Sequence, residues 1–190
     1  MITKEKSKGN IPIDKELLNK YKNVEEIFDN ADRFFENNKC ILKLNSLNDI
    51  LNLDFKNLKV EYLKRLAYKI FNECHDKNTF INNGNNISVT KNGIYESVQK
   101  IYNNKYQREL VKENFIIFAN LGSIIETALL VNQALERKKR NGIIYWNYYI
   151  NRLYIDNEEY LINFDVRTLD CNQNQYRIQR IVLKKKKQVA

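Results

Sequence analysis

The spacing of apolar residues follows two rules along this chain, helical over most of its length and strand-like over its last part. Between Asp14 and Asn37, the residues Leu17, Leu18, Tyr21, Val24, Ile27, Phe28, Phe34 and Phe35 recur near helical spacing, which predicts one or two short helices. Leu63, Leu66, Ala67, Ile70, Phe71 and Cys74 then form an amphipathic stripe, and a helix is expected over Phe55 to Cys74. The Asn- and Gly-rich stretch from His75 to Asn86 breaks this pattern. After it, Ile87 to Thr90 reads as a short strand, and Lys91-Asn92-Gly93 turns the chain into a short helix carrying Ile94, Val98, Ile101 and Tyr102. Gln107 to Ala119 is helical by periodicity, with Asn120-Leu121-Gly122 as its stop. Ser123 and Glu126 have capping-box spacing and predict a further helix with Ile124, Ile125, Ala128, Leu129 and Leu135 on its apolar side. Arg137-Lys138-Lys139-Arg140 would end that helix at its negative pole, and Gly142 would close it.

From Ile143 the pattern changes. Ile143 to Ile155 is one aromatic and β-branched run. After Asp156-Asn157, the residues Tyr160, Ile162, Phe164 and Val166 alternate with Leu161, Asn163, Asp165 and Arg167. That is a half-buried antiparallel strand following a tight hairpin. A third run starts at Gln175, but Tyr176 and Ile178 are out of phase with Ile181 and Leu183. A strict two-residue repeat cannot bury both pairs on one face. Either a β-bulge near Gln179-Arg180 restores the phase, or the strand crosses an edge and buries Ile181 and Leu183 on the opposite face. The fold class that follows is α+β: N-terminal helices, then helices packed on one face of a three- to four-stranded antiparallel sheet. The divisions are a flexible arm over 1–10, a helical region over 11–78 and an α+β domain over 79–187.

The hydrophobic content of 43% in 190 residues suffices for a real core. Cys40, Cys74 and Cys171 are odd in number and widely spaced, which excludes a disulfide framework and a paired-cysteine metal knuckle. No apolar run has the length of a membrane span, and the first residues lack the apolar part of a signal peptide. A cytoplasmic protein without membrane contact is expected. The net charge of +9 is local: from Arg137 onward, twelve Lys and Arg face five Asp and Glu. Arg152, Arg167, Arg177, Arg180 and Lys184 among tyrosines supply cations for phosphates and π-faces for unstacked bases, so RNA is the expected partner. The competing reading is that the arginines solvate an exposed sheet and that Lys184 to Lys187 form a soluble tail.

Three stretches carry a family resemblance: Ile-Ser-Val-Thr-Lys-Asn-Gly-Ile-Tyr-Glu-Ser at 87–97, Asn-Leu-Gly-Ser-Ile-Ile-Glu-Thr-Ala at 120–128, and Tyr-Trp-Asn-Tyr-Tyr-Ile-Asn-Arg-Leu-Tyr-Ile-Asp-Asn-Glu-Glu-Tyr at 145–160. Over Thr79 to Lys187 the chain resembles the large polyvalent protein-associated and phage nuclease domains of the barnase, EndoU, colicin RNase and RelE superfamily. The resemblance implies a phage or mobile-element origin. It also implies metal-independent RNA cleavage, as in an RNase toxin, with the 2′-hydroxyl attacking the adjacent phosphate and no cofactor. The one histidine, His75, lies outside the resembling region and reads as an exposed loop residue, so a pair of histidines cannot do this work. The RelE-like option remains, with Lys, Arg and Tyr as proton carriers and electrostatic stabilisers.

Lys91, Ser97, Tyr148, Arg167 and Tyr176 occupy the matching positions and are the catalytic candidates. Each has a structural competitor. Lys91 could solvate a turn, Ser97 could bond back to its own helix, Tyr148 and Tyr176 could be core residues, and Arg167 could pair with Asp165 or Glu159. Arg152, Arg177, Arg180 and Lys184 are the nucleic-acid-binding candidates. No metal site is expected, because no His, Cys or Asp cluster exists to build one. The rival to an RNA-binding nuclease fold is a non-catalytic module that binds and inhibits a host protein or nucleic-acid complex; an inhibitor protein is a further candidate partner.

Overall fold

The structure, a computed structural model, describes residues 42–44, 55–135, 142–169 and 176–185. The expected arm over 1–10, the helices expected between Asp14 and Asn37, and the basic run Arg137 to Arg140 lie outside the described residues. In chain order the elements are β1 (Leu42–Leu44), a 3₁₀ turn (Phe55–Asn57), α1 (Val60–Cys74), β2 (Thr79–Asn82), β3 (Asn85–Ser88), α2 (Lys91–Asn103), α3 (Lys105–Glu109), α4 (Val111–Ala119), α5 (Leu121–Thr127), β4 (Leu129–Leu135), β5 (Ile143–Ile155), β6 (Glu158–Leu169) and β7 (Tyr176–Lys185). The fold is α+β. Its strands form one sheet in the order β1-β5-β6-β7-β3-β2, with β4 sharing the outer edge of β5. The centre is the antiparallel meander β4-β5-β6-β7, while β3 joins β7 in parallel and β1 joins β5 in parallel.

Apolar stripes on the helices explain the layering. Leu63, Ala67, Ile70 and Phe71 of α1 and Ile94, Val98 and Ile101 of α2 are buried together with Tyr149, Leu153, Ile162, Phe164, Val166, Ile178 and Ile181 of the sheet. The helix over 60–74 thus shares one core with the residues from 79 onward. The two hairpins have the chemistry their sequences demand. Asn83-Gly84 and Asp156-Asn157 each place both central residues at positive φ (47° and 81°, 49° and 68°), the type I′ geometry that matches strand twist. The phase break in the last strand is a bulge. β7 pairs Arg180 with Asp165 and then Ile178 with Val166, skipping Gln179, so Ile178 and Ile181 are both buried on the helical side.

Five expectations need correction. The helix expected from Ser123 to Arg140 ends at Thr127, Ser123 caps nothing, and Leu129–Leu135 is a strand. Leu129 and Val131 fit either periodicity, and the open edge of β5 decides the matter by offering a ladder of hydrogen bonds. The single helix expected over Gln107 to Ala119 is broken at Leu110 into α3 and α4, and α3 begins two residues earlier, where the Asn104 side chain caps Gln107 N–H (3.1 Å). The break expected from His75 to Asn86 contains the β2–β3 hairpin, and Ile87 to Thr90 is not itself the strand: β3 stops at Ser88, and Thr90 accepts from Gly93 N–H as the N-cap of α2. β6 is not half-buried, because Leu161, Asn163 and Asp165 are also buried, at 6–8% exposure against 0–2% for Tyr160, Ile162, Phe164 and Val166 on its core face. Finally, His75 is half-buried rather than a free loop residue. Its Nδ1–H donates to Phe71 O (2.9 Å), Nε2 accepts from Gly122 N–H (3.1 Å), and the ring stacks on Phe71, tying the end of α1 to the start of α5.

Candidate nucleic-acid interface

Strand register builds a grid on the face of the sheet away from the helices. Alternation sends Tyr160, Ile162, Phe164 and Val166 to the helical core, so Leu161, Asn163, Asp165 and Arg167 stand on the outer face. The ladder sets one row as Trp146, Arg167 and Arg177, the next as Tyr148, Asp165 and Arg180, then Ile150, Asn163 and Val182, and then Arg152, Leu161 and Lys184. All four nucleic-acid-binding candidates hold positions in this grid. Neighbouring strands lie about 4.8 Å apart, so the rows are dense in charge and aromatic surface. The register places position 167 of β6 directly opposite position 177 of β7.

Local contacts restrict some of these groups. Arg152 Nε lies 2.7 Å from Glu159 Oε1, and Tyr154 donates to the other oxygen of the same carboxylate (3.0 Å). Arg152 is therefore largely neutralised where it stands. Trp146, Tyr148 and Arg167 are half-buried, while Ile150, Leu161, Asn163 and Asp165 in the middle of the face are buried.

The five catalytic candidates do not converge. Ser97 is fully buried within α2 and its hydroxyl donates to Gly93 O (2.8 Å), a back-bond that occupies it structurally. Lys91 lies in the first turn of α2, not in a loop, with its ammonium over the rings of Tyr68 (5.6 Å) and Tyr95 (5.4 Å) on the helical side. The position of Tyr176 pairs with Thr168, in register with the helical face. Tyr148 and Arg167 stand on the opposite face, so the sheet separates the two groups.

Two further groups bear on the chemistry. Burial of Tyr160, its hydrogen bond to Glu158 (2.9 Å) and the nearby charge of Glu113 push its phenol far above the ordinary range, which leaves it protonated and unable to act as a base. Burial, and then Glu73, raise the Cys74 thiol, the opposite of what a nucleophilic cysteine needs. Sequence patterning could not single out either group, because the largest cause in both is burial, which tertiary neighbours supply. No cluster of three His, Cys, Asp or Glu that could hold a metal is found among the described residues. None of their helices is long and apolar enough to cross a membrane.

Comparison with protein families matches residues 54–178 to large polyvalent protein-associated domain 3. The chain belongs to this family. The matched span of large polyvalent protein-associated domain 3 begins before α1 and ends in β7, so it takes in the α1 helix as well as the hairpin, the later helices and the meander. This agrees with the core that α1 shares with the residues from 79 onward. Searches of curated proteins and of solved structures returned no match.

Proposed function

We propose that this domain is an RNA-binding module that holds the phosphate backbone against the outer face of its sheet, at the Trp146–Arg167–Arg177 end. The observation that carries the reading is the half-buried Arg167 in register with Trp146 and one row from Tyr148 on the outer face, with basic positions 177 and 180 on the next strand. A guanidinium attracts a phosphate, and the adjacent rings offer stacking surface to unpaired bases, a combination that binds single strands with little sequence preference. An antiparallel meander with helices on one face also supports a likeness to the barnase, EndoU, colicin RNase and RelE superfamily. Cleavage has weaker support than binding, since Lys91 and Ser97 lie across the sheet from Tyr148 and Arg167. Membership of a family named for association with large polyvalent proteins favours a module that works beside other domains.

Replacing Arg167, Arg177 and Arg180 together by Gln is expected to weaken binding of a single-stranded RNA oligonucleotide. The slope of log affinity against log salt should also flatten by about 2, since each lost phosphate contact on a single strand accounts for about 0.7. Fluorescence anisotropy across a salt series measures both, and equal affinity and slope in the two proteins would remove the reading. Total RNA incubated with the intact protein in EDTA is expected to remain whole; fragmentation that the arginine variant abolishes would restore the nuclease reading instead.

A further inference from the structure

We infer that Asn132 reads the base of a bound nucleotide and makes adenine the preferred base of the outer face, an inference that rests on the RNA-binding reading. The backbone delivers this side chain to that face. Leu130 pairs with Tyr149 and packs against the helical core, so plain alternation along β4 would carry Asn132 to the helical side as well. The register instead skips Val131 and sets Asn132 opposite Tyr148, while Gln133 falls opposite Asn147 and donates to its Oδ1 (2.7 Å). Tyr149 belongs to the helical core and Tyr148 alternates with it, so the bulge turns Asn132 outward. Bulges that re-aim a side chain in this way are over-represented beside active sites.

The surroundings of Asn132 fit a nucleotide. Among the described strands β4 pairs with β5 alone, so a ligand reaches Asn132 from an open edge. Asn82, Asn147 and Asn151 spend their amides on hydrogen bonds within the fold, whereas the half-buried Asn132 makes none to any described residue. Ala134, the next outer-face residue of β4, stands opposite Trp146 and sets only a methyl group beside the indole. From β6 to β4 the face therefore offers Arg167, then Trp146 and Tyr148, then Asn132. A cation, two rings and an amide follow in the order in which a nucleotide presents its phosphate, its ring and its base edge. Stacking accepts any base, so selection falls to the amide. Its donor and acceptor lie side by side and match N7 and N6–H of adenine, whereas guanine shows two acceptors at that edge and the pyrimidines have no N7.

Fluorescence anisotropy with labelled oligoadenylate, oligouridylate, oligocytidylate and an oligomer of 7-deazaadenosine, all of one length, reads the preference directly in the full chain. The native protein is expected to bind oligoadenylate about tenfold more tightly than oligouridylate, within the range of one bidentate base contact, and to lose that gain with the 7-deaza probe. Asn132→Ala is expected to keep the oligouridylate affinity and its salt slope, and to bring oligoadenylate within about twofold of it. Equal affinity of the native chain for all four probes overturns the inference and leaves the phosphate-binding reading standing. An adenine preference that survives the loss of N7 also overturns it; this arm uses the native chain and so decides the matter whatever the variant does to folding. A preference that survives Asn132→Ala has the same meaning, and so does a folded variant that loses oligouridylate affinity, since the residue would then support the edge and read nothing. Failure of every probe to bind overturns the RNA-binding reading itself, and this inference with it.

Discussion

Gly93→Ala is expected to destabilise the domain by about 3 kcal/mol, although the same change inside an exposed helix stabilises by about 1 kcal/mol. Gly93 lies in the first turn of α2, where the helix crosses β7, and a Cβ there would collide with the backbone carbonyl of Ile178. That carbonyl belongs to a strand whose Ile178 pairs with Val166, so it cannot retreat without loosening the ladder beside the bulge. The remaining response is to lift α2, which would expose Ile94, Val98 and Ile101, each no more than 3% exposed. A fall in melting temperature of about 6–12 °C is expected for a chain of this size. Asn92→Ala, one residue earlier and exposed, serves as the control and should be nearly neutral. Equal thermal and urea midpoints for Gly93→Ala and the native chain would show that α2 does not approach β7 this closely.

Asn82→Leu is expected to remove a comparable amount, about 3 kcal/mol, by taking the side-chain donor from two buried carbonyls, of which Ile125 O keeps only the longer bond from Ala128 N–H (3.3 Å). The Asn82 amide donates to Ile125 O (2.6 Å) and Ala128 O (2.8 Å) from a position 2% exposed. These carbonyls lie where α5 ends and β4 begins, so one side chain of the β2–β3 hairpin fixes the change from helix to strand. Asn151 holds the same turn from the other side, through Ile124 O and Thr127 Oγ1. Asn82→Leu and Asn151→Leu should therefore be non-additive, with a coupling of about 1 kcal/mol in a double-mutant cycle. Strict additivity in urea unfolding would mean that the two amides act on independent pieces of structure. A native-like stability for Asn82→Leu would mean that the helix-to-strand change needs no such clamp.

These two positions mark where local pattern stopped being informative. The stripe of α1, the Asp156-Asn157 hairpin and the bulge at Gln179 were all legible, because each follows from a period or a turn chemistry contained within about ten residues. The α+β class followed from the same reasoning, as did the position of Arg167 on the face opposite Tyr160, Ile162, Phe164 and Val166, since alternation along a strand fixes the side once one face is known. Leu129–Leu135 was not legible. Its residues tolerate helix and strand alike, and the choice rests on an unpaired edge of β5 and on Asn82, which lies 43 residues before Ile125. His75 read as a loop residue for the same reason: its two hydrogen-bond partners belong to different helices, one of them 47 residues away. Spacing could nominate Lys91, Ser97, Tyr148, Arg167 and Tyr176 together, but only the packing of α2 on the helical side of the sheet divides them between two faces. Sequence alone determined which residues alternate and where the chain turns; the tertiary structure decided which of those residues meet, because hydrogen-bond donors, strand edges and burial are supplied by segments far apart in the chain.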